Sequence, residues 1–362
     1  MKVGIDGRKI PEAATRGPVG TLDHAHELGL DGVFFRSVLD ITPTLDSGVL
    51  RDVRTRADEL GLYLEAGLGK VNPYAMPEAP ELRRVGDGDT LLGFERMIAA
   101  CARIGVRELW AATANRQPYP GFRSYDRFRT DAPWRRQLEA TAAFLRKLRP
   151  VALDNDVHVN LETHEEITSH EVVRLVEAVG PDVLGIVYDT SNGLHRAEDP
   201  VAVARRVAPY VRQTHLKDAA LVLAEGGVIM QSRPVGDGVV DFGAILPIVA
   251  AANPKVHLTI ECRQPDVEGQ KTYPTFTTEK RPNVYGTLVE VYDPEWQAGH
   301  PDLTVGEFSS YLALAQDFTD RIDSGQEPTV REIAEAKFGY DEAVEAIQVS
   351  ARHIRQVLAD AA

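Results

Sequence analysis

The chain has 362 residues, 43% hydrophobic and 26% charged, and its 40 basic and 54 acidic side chains leave a net charge of −14. This is the make-up of a soluble globular chain with ample core, and it argues against two partners: no basic stripe is available to track nucleic-acid phosphates, and no apolar run approaches the ~18 residues of a membrane span. Two cysteines, Cys101 and Cys262, are too few for a disulfide framework and read as reduced core thiols, while Met1-Lys-Val-Gly-Ile-Asp enters a strand without a signal-like apolar stretch, so a cytoplasmic location is expected.

Short strand-like runs alternate with longer helical patterns from the start, which predicts parallel strands joined by helical crossovers. The first strand covers Lys2 to Asp6, with a helix near Val19 to Leu28. The second covers Gly32 to Arg36, with a helix near Leu45 to Leu60, and the third Leu62 to Ala66. Gly67 to Thr90 holds Pro73, Pro77 and Pro80 and is expected to lack regular structure and to lie over an active face. A helix at Leu92 to Ile104 leads to the fourth strand, Glu108 to Ala112. A loop dense in Arg, Tyr, Phe and Pro follows at Ala114 to Pro133, then a long amphipathic helix at Trp134 to Asn155.

The next four strands share a feature. Val157-His-Val-Asn-Leu-Glu-Thr-His164, Leu184-Gly-Ile-Val-Tyr-Asp189, Val211-Arg-Gln-Thr-His215 and Val256-His-Leu-Thr-Ile-Glu261 each finish on side chains able to hold a metal. Val159 and Leu161 alternate with Asn160, Glu162 and His164, so one face of the strand is apolar and the other polar. Helices are expected near Ser169 to Val179, Asp199 to Ala208 and Phe242 to Ala252. Ala219 to Val240 reads as a hairpin-like excursion after the seventh strand, and Arg263 to Asp302 as a long insertion after the eighth, a lid, binding element or partner surface. Helices near Val305 to Ile322, Val330 to Ala336 and Asp341 to Leu358 form a C-terminal extension over 303–362.

Eight alternations are the number of a closed (β/α)8 TIM barrel, here one domain over 1–362 with insertions after strands seven and eight and additional C-terminal helices. An open doubly wound sheet is the other arrangement, but its distant strands would not bring four successive C-terminal ends to one ion, and no Gly-x-Gly-x-x-Gly follows the first strand.

Glu162, Asp189, His215 and Glu261 are a mixed oxygen and nitrogen donor set suited to Mn²⁺, with Mg²⁺ or Co²⁺ as substitutes, and they leave about two of six positions for adjacent oxygens of a substrate. Such an ion makes a C–H beside a carbonyl acidic. His164 shares the parity of Glu162 one step nearer the mouth and is the candidate base, with a hydrogen-bonding support of the metal ligands as the competing reading. Lys217, two after His215, and Arg263, two after Glu261, are placed to steady an anionic oxygen, while Asn192 and Trp110 are placed to contact substrate. For each of these last four, structural pairing or packing is the competing reading, and His158 and His257 read as core-facing.

Asn160-Leu-Glu-Thr-His164, Tyr188-Asp-Thr-Ser-Asn192, Thr214-His-Leu-Lys-Asp218 and Thr259-Ile-Glu-Cys-Arg263, in this order, resemble the xylose-isomerase-like barrel superfamily of sugar phosphate isomerases and epimerases, which includes inosose dehydratases and apurinic endonucleases. The resemblance spans Met1 to about Arg263. It implies that residues matching Glu162, Asp189, His215 and Glu261 hold one divalent ion. Ketose epimerases carry a histidine three after the metal aspartate, where this chain has Asn192, and the additional histidines of a three-zinc endonuclease are absent. Within the superfamily the chain is most similar to the catalytic alpha subunits of bacterial C-glycoside deglycosidases, through the Glu-Thr-His order and the long segment after the eighth strand. That likeness implies Mn²⁺, a small all-β partner subunit in a hetero-oligomer, and cleavage of the C1–aryl carbon bond of a 3-oxo-C-glycoside. The alternatives are an isomerase, epimerase or dehydratase of a free keto-sugar or cyclitol, and a barrel kept only as a binding scaffold.

Overall fold

The computed structural model describes residues 1–76, 80–114, 132–263, 276–278, 281–284 and 286–361. Its first seven strands are β1 (Val3–Asp6), β2 (Gly32–Phe35), β3 (Tyr63–Lys70), β4 (Glu108–Ala112), β5 (His158–Glu162), β6 (Leu184–Asp189) and β7 (Val211–Leu216). A hairpin of β8 (Asp218–Ala224) and β9 (Gly227–Arg233) follows, and β10 (Leu258–Ile260) then fits between β7 and β1. β1 through β7 and β10 pair in parallel and close into a barrel. This is the (β/α)8 architecture expected, with β10 as the eighth stave.

Helices follow the strands as the periodicity predicted, with local refinements. The first, α1 (Ala13–Glu27), is kinked at Gly17, whose φ of 67° suits glycine, and Pro18 restarts the helix beyond it. The stretch after β2 divides into α2 (Val38–Ile41) and α3 (Ser47–Glu59), each opened by a side-chain cap, Ser37 or Asp46. The described residues of Gly67 to Thr90, which exclude 77–79, are more ordered than the prolines indicated. β3 runs on to Lys70, and Pro80 opens α4 (Pro80–Val85), because proline is accommodated in a first helical turn, where its missing N–H is no loss. Around the barrel stand α5 (Thr90–Arg103), α6 (Trp134–Asp154), α7 (Ser169–Val179), α8 (Pro200–Val207) and α9 (Phe242–Ala252).

Val159 and Leu161 of β5 join the apolar layer between strands and helices, with Leu145 and Leu148 of α6 and Val172 and Val176 of α7. Asn160 and Glu162 face the interior, where Asn160 donates to Gln213 Oε1 at 2.9 Å. The strand's two faces therefore separate as its alternation required.

The excursion after β7 is the antiparallel pair β8 and β9, turning at Gly226 with φ of 87°. Of the insertion after β10, the described parts include β11 (Phe276–Thr278), β12 (Arg281–Val284), β13 (Thr287–Val289), which pairs with β9, and α10 (Pro294–Ala298). Residues 264–275, 279–280 and 285 of it, and residues 115–131 of the aromatic loop, lie outside the described residues. Beyond come α11 (Val305–Asp323), which packs on β8, α12 (Val330–Glu335) and α13 (Tyr340–Asp360). The last helix packs on β1, β10 and α9 through Ile347, Ala351 and Ile354, so it takes the eighth place in the outer ring. No described helix is long and apolar enough to cross a membrane.

Candidate metal centre

Glu162 ends β5, Asp189 ends β6, His215 lies one residue before the end of β7, and Glu261 follows β10 directly. In register, Asp189 stands opposite His215, while Glu162 opposite Val187 and Thr259 opposite His215 put Glu162 and Glu261 within two residues of that level at the barrel mouth. One ligand atom from each of the four lies within 4.8 Å of the others, and all four residues are buried.

The cluster has features of a cation seat. Three carboxylates meet one imidazole, with His215 Nδ1 2.9 Å from Glu162 Oε1 and 3.3 Å from Glu261 Oε2. Asp189 Oδ2 and Glu261 Oε2 are buried and make no well-aligned hydrogen bond among the described residues, each having only an ion-pair neighbour, Lys217 and His215, so both keep lone pairs free for a cation. Burial, together with the charges of Glu162 and Glu261, pushes Asp189 up to about 7 against the pull of Lys217. Oxygen donors with one imidazole and no thiolate fit a divalent metal ion.

Cations brace the carboxylates from outside. Lys217 Nζ lies 3.1 Å from Asp189 Oδ2 and 3.2 Å from Glu261 Oε1, and Lys9 Nζ 3.5 Å from Glu261 Oε1. Arg36 Nη2 joins Asp6 Oδ2 at 2.7 Å to Glu261 Oε1 at 2.5 Å. Burial opposes the charge on Glu261, yet Arg36, Lys217 and Lys9 outweigh it and hold the carboxyl well below its usual range. Trp110 Nε1 donates to Glu162 Oε2 at 2.9 Å, and Asp189 Oδ1 accepts the backbone N–H groups of Ser191 and Asn192 at 3.0 and 2.9 Å. Each of the three carboxylates is thus oriented by a neighbour.

His164 stands beside this set. Its Nε2 is 3.9 Å from Glu162 Oε2 and 3.1 Å from Glu165 Oε2, while Nδ1 hydrogen-bonds Glu166, which also accepts from Thr113 Oγ1. Burial alone would lower the imidazole, but Glu166 and Glu165 outweigh it and push His164 up to about 9. A cavity of about 320 Å³ opens here, lined by Arg8, Arg36, Lys70, Trp110, His164 and Glu165 among others. The arrangement offers a pair of substrate oxygens a cation seat on one side and an imidazole able to exchange a proton on the other.

Most of the residues singled out in the sequence converge. Trp110 bonds Glu162, Lys217 pairs with Asp189 and Glu261, and Asn192 Nδ2 lies 3.5 Å from Glu162 Oε1 while its Oδ1 accepts from Lys217 at 3.4 Å. Arg263 diverges: its guanidinium lies 4.4 Å over the Phe338 ring, on the C-terminal segment, because the chain leaves β10 after Ile260 and strand parity no longer governs it. His158 and His257 sit half-buried at the opposite end of the barrel, 3.3 Å from Glu108 and stacked on Tyr63 respectively. Sequence reasoning missed Lys9, Arg36, Lys70, Glu165 and Glu166. Glu165 and Glu166 were readable from the acidic pair directly after His164, and Arg36 from its place at the end of the second strand; Lys9 and Lys70 carried no comparable signal.

A family model described as a xylose isomerase-like TIM barrel matches residues 22–282. A 3-oxo-isoapionate decarboxylase from Pectobacterium atrosepticum is 30% identical over 105 residues, 28% of this chain and 38% of that protein. An inosose dehydratase from Clostridium tetani is 27% identical over 134 residues, 33% of this chain and 45% of its own length. The chain thus spans less than half of either relative. A 3-keto-D-glucoside 4-epimerase from E. coli superposes with a TM-score of 0.54 at 16% identity over 88% of this chain and 99% of that one, a likeness of fold.

Proposed function

The chain belongs to the xylose isomerase-like TIM barrel family, and from that membership we propose that it is a metal-dependent enzyme moving a proton beside the carbonyl of an oxidised sugar. Glu162, Asp189, His215 and Glu261 would hold the ion, Mn²⁺ by preference, with Mg²⁺ or Co²⁺ as substitutes. When bound, the ion supplies Lewis acidity that loosens a C–H next to the carbonyl. The observation that carries the reading is the place of His164, against the ligand cluster but not within it, held by Glu165 and Glu166, which stabilise the imidazolium formed when the ring accepts a proton.

The substrate we assign is a 3-oxo-C-glycoside. His164 removes the proton at C2, the released pair forms the C1=C2 bond, and the bond from C1 to the aryl carbon breaks with its pair leaving on that carbon, which then takes a proton. Atoms and charge balance without an added oxidant or reductant. Lys217 and Asn192 bear on Asp189 and Glu162 and keep the ligands in place. The name of one relative specifies a 3-oxo substrate, which supports an oxidised sugar. A small all-β partner subunit belongs to the same proposal. The second reading, supported by the inosose dehydratase relative, is isomerisation, epimerisation or dehydration of a free keto-sugar or cyclitol.

The test offers Mn²⁺-loaded protein, with and without a candidate β subunit, a 3-oxo-C-glucoside and a panel of ketoses and inososes. Release of the phenolic aglycone supports the first reading. A C-epimer or a dehydrated cyclitol replaces it with the second, and turnover of none of them removes both.

A further inference from the structure

An elimination needs an acid as well as a base, since the departing carbon must acquire a proton. The cavity holding His164 contains a cation with no role so far. Lys70 is 7% exposed, and among the described residues its Nζ has neither a carboxylate partner nor a hydrogen-bond acceptor. The ammonium lies 5.2 Å from the centroid of the Trp110 ring. Arg8 is paired with Asp40, and Arg36 with Asp6 and Glu261. Among the described residues, Lys70 is the one of these three lining cations, with Arg8 and Arg36, that has no carboxylate pairing.

The backbone places it there. β3 and β4 pair Ala66 with Leu109 and Gly67 with Trp110, then slip by one residue so that Gly69 pairs with Ala111 and Lys70 with Ala112. Without the slip, Lys70 would alternate onto the helix-facing side; with it, Lys70 takes the parity of Trp110 and Ala112 and faces the mouth. Both glycines serve the bulge. Gly69 has φ of 132°, and a Cβ on Gly67 would sit 2.2 Å from the Arg36 carbonyl oxygen.

We propose that Lys70 is the general acid that complements His164, giving the proton from its ammonium to the departing aryl carbon as the C1–C bond breaks. The inference rests on the function proposed above. His164 gains the C2 proton and Lys70 loses one, so the protein's proton count is unchanged over the step and exchange with water restores both groups. Burial, opposed by Glu166 and Glu162 and reinforced by Arg36, lowers the ammonium from its ordinary value and makes it a readier donor. The charged groups facing it are Arg36, Glu162, Glu165 and Glu166.

The experiment separates the two proton transfers. Wild type and Lys70→Met, both loaded with Mn²⁺, are given a 3-oxo-C-glucoside in D2O, and exchange at C2 is followed by NMR alongside aglycone release. The expected result is release slowed by ~10²-fold or more, the usual scale for a lost general acid, while C2 exchange stays within about threefold of wild type. Lys70→Arg, which keeps the charge but gives up no proton near neutral pH, should behave like Lys70→Met, and it stands in if the methionine variant is insoluble. A 3-oxo-O-glucoside of 4-nitrophenol, whose leaving group departs without protonation, should be cleaved at near wild-type rate by either variant. If release and exchange fall together, or if release is unaffected, the assignment of Lys70 is overturned while the proposed function stands. If the wild type neither exchanges C2 hydrogen nor releases the aglycone, the function is overturned and this inference with it.

Discussion

Trp110 on β4 donates its indole N–H to Oε2 of Glu162 at the end of β5, 2.9 Å away, so a residue read in sequence as a substrate contact is also a buried brace for a candidate ligand. The same ring underlies Arg36 and Lys70, at 5.7 and 5.2 Å from its centroid. Trp110→Phe should keep the fold and leave that carboxylate oxygen without its donor. Mn²⁺ affinity is expected to weaken by about 10- to 100-fold, the scale for an outer ligand partner. Competition with a chromogenic chelator measures it, and equal affinity in both proteins would remove the brace from the account.

His164→Asn should retain metal content and lose turnover by ~10²-fold or more, as expected when a general base is removed. Glu166→Gln should act through His164, because Glu166 links the imidazole to Thr113. Turnover should drop with KM little changed, and the pH profile should move to lower values as the imidazolium loses a carboxylate neighbour. Loss of bound metal in either variant would place these residues in the ligand shell instead.

Glu65 lies inside the barrel, where burial pushes its carboxyl up to about 7 against the pull of Gln213 and His215. The folded value is above the ordinary one, so the contribution to stability is complete below the unfolded pKa and is lost as pH rises through about 7. Glu65→Gln carries no such dependence. Relative to it, the wild type should lose roughly 1 to 3 kcal/mol between pH 5 and 8, a few degrees of Tm. A constant difference in Tm across that range would show that the carboxyl does not titrate there.

Asp218 fixes the root of the β8–β9 excursion. Its carboxylate accepts the backbone N–H groups of Gly236, Gly238 and Val240 at 3.0 Å each, and that of Ala219 at 2.8 Å. Asp218→Ala strands these donors, and about 2 to 4 kcal/mol of stability should be lost, beyond what a surface substitution costs. Denaturant titration gives the number, and a change under 0.5 kcal/mol, the surface scale, would contradict the anchoring role.

Much of this was legible along the chain. Alternation of short apolar runs with helical stretches set the (β/α)8 count, and the recurrence of Glu162, Asp189, His215 and Glu261 at successive strand ends picked out the cluster that now lies within 4.8 Å. Those signals survive in one dimension because strand parity and strand termini are local properties. Lys70 was not legible, since its inward aim depends on a one-residue slip between β3 and β4 that is a property of the pair. Nor was the departure of Arg263 toward Phe338, because parity ends with the strand.

The sequence by itself thus determined the sort of barrel this chain makes and the donor atoms offered at its mouth, because period and composition are written residue by residue. Only the folded chain decided which charges face them. Arg36 reaches Asp6 and Glu261 across 30 and 225 residues of chain, and α13 closes the ring against β1. Contacts of that separation follow from how twisted strands and packed helices share space, and no local pattern encodes them.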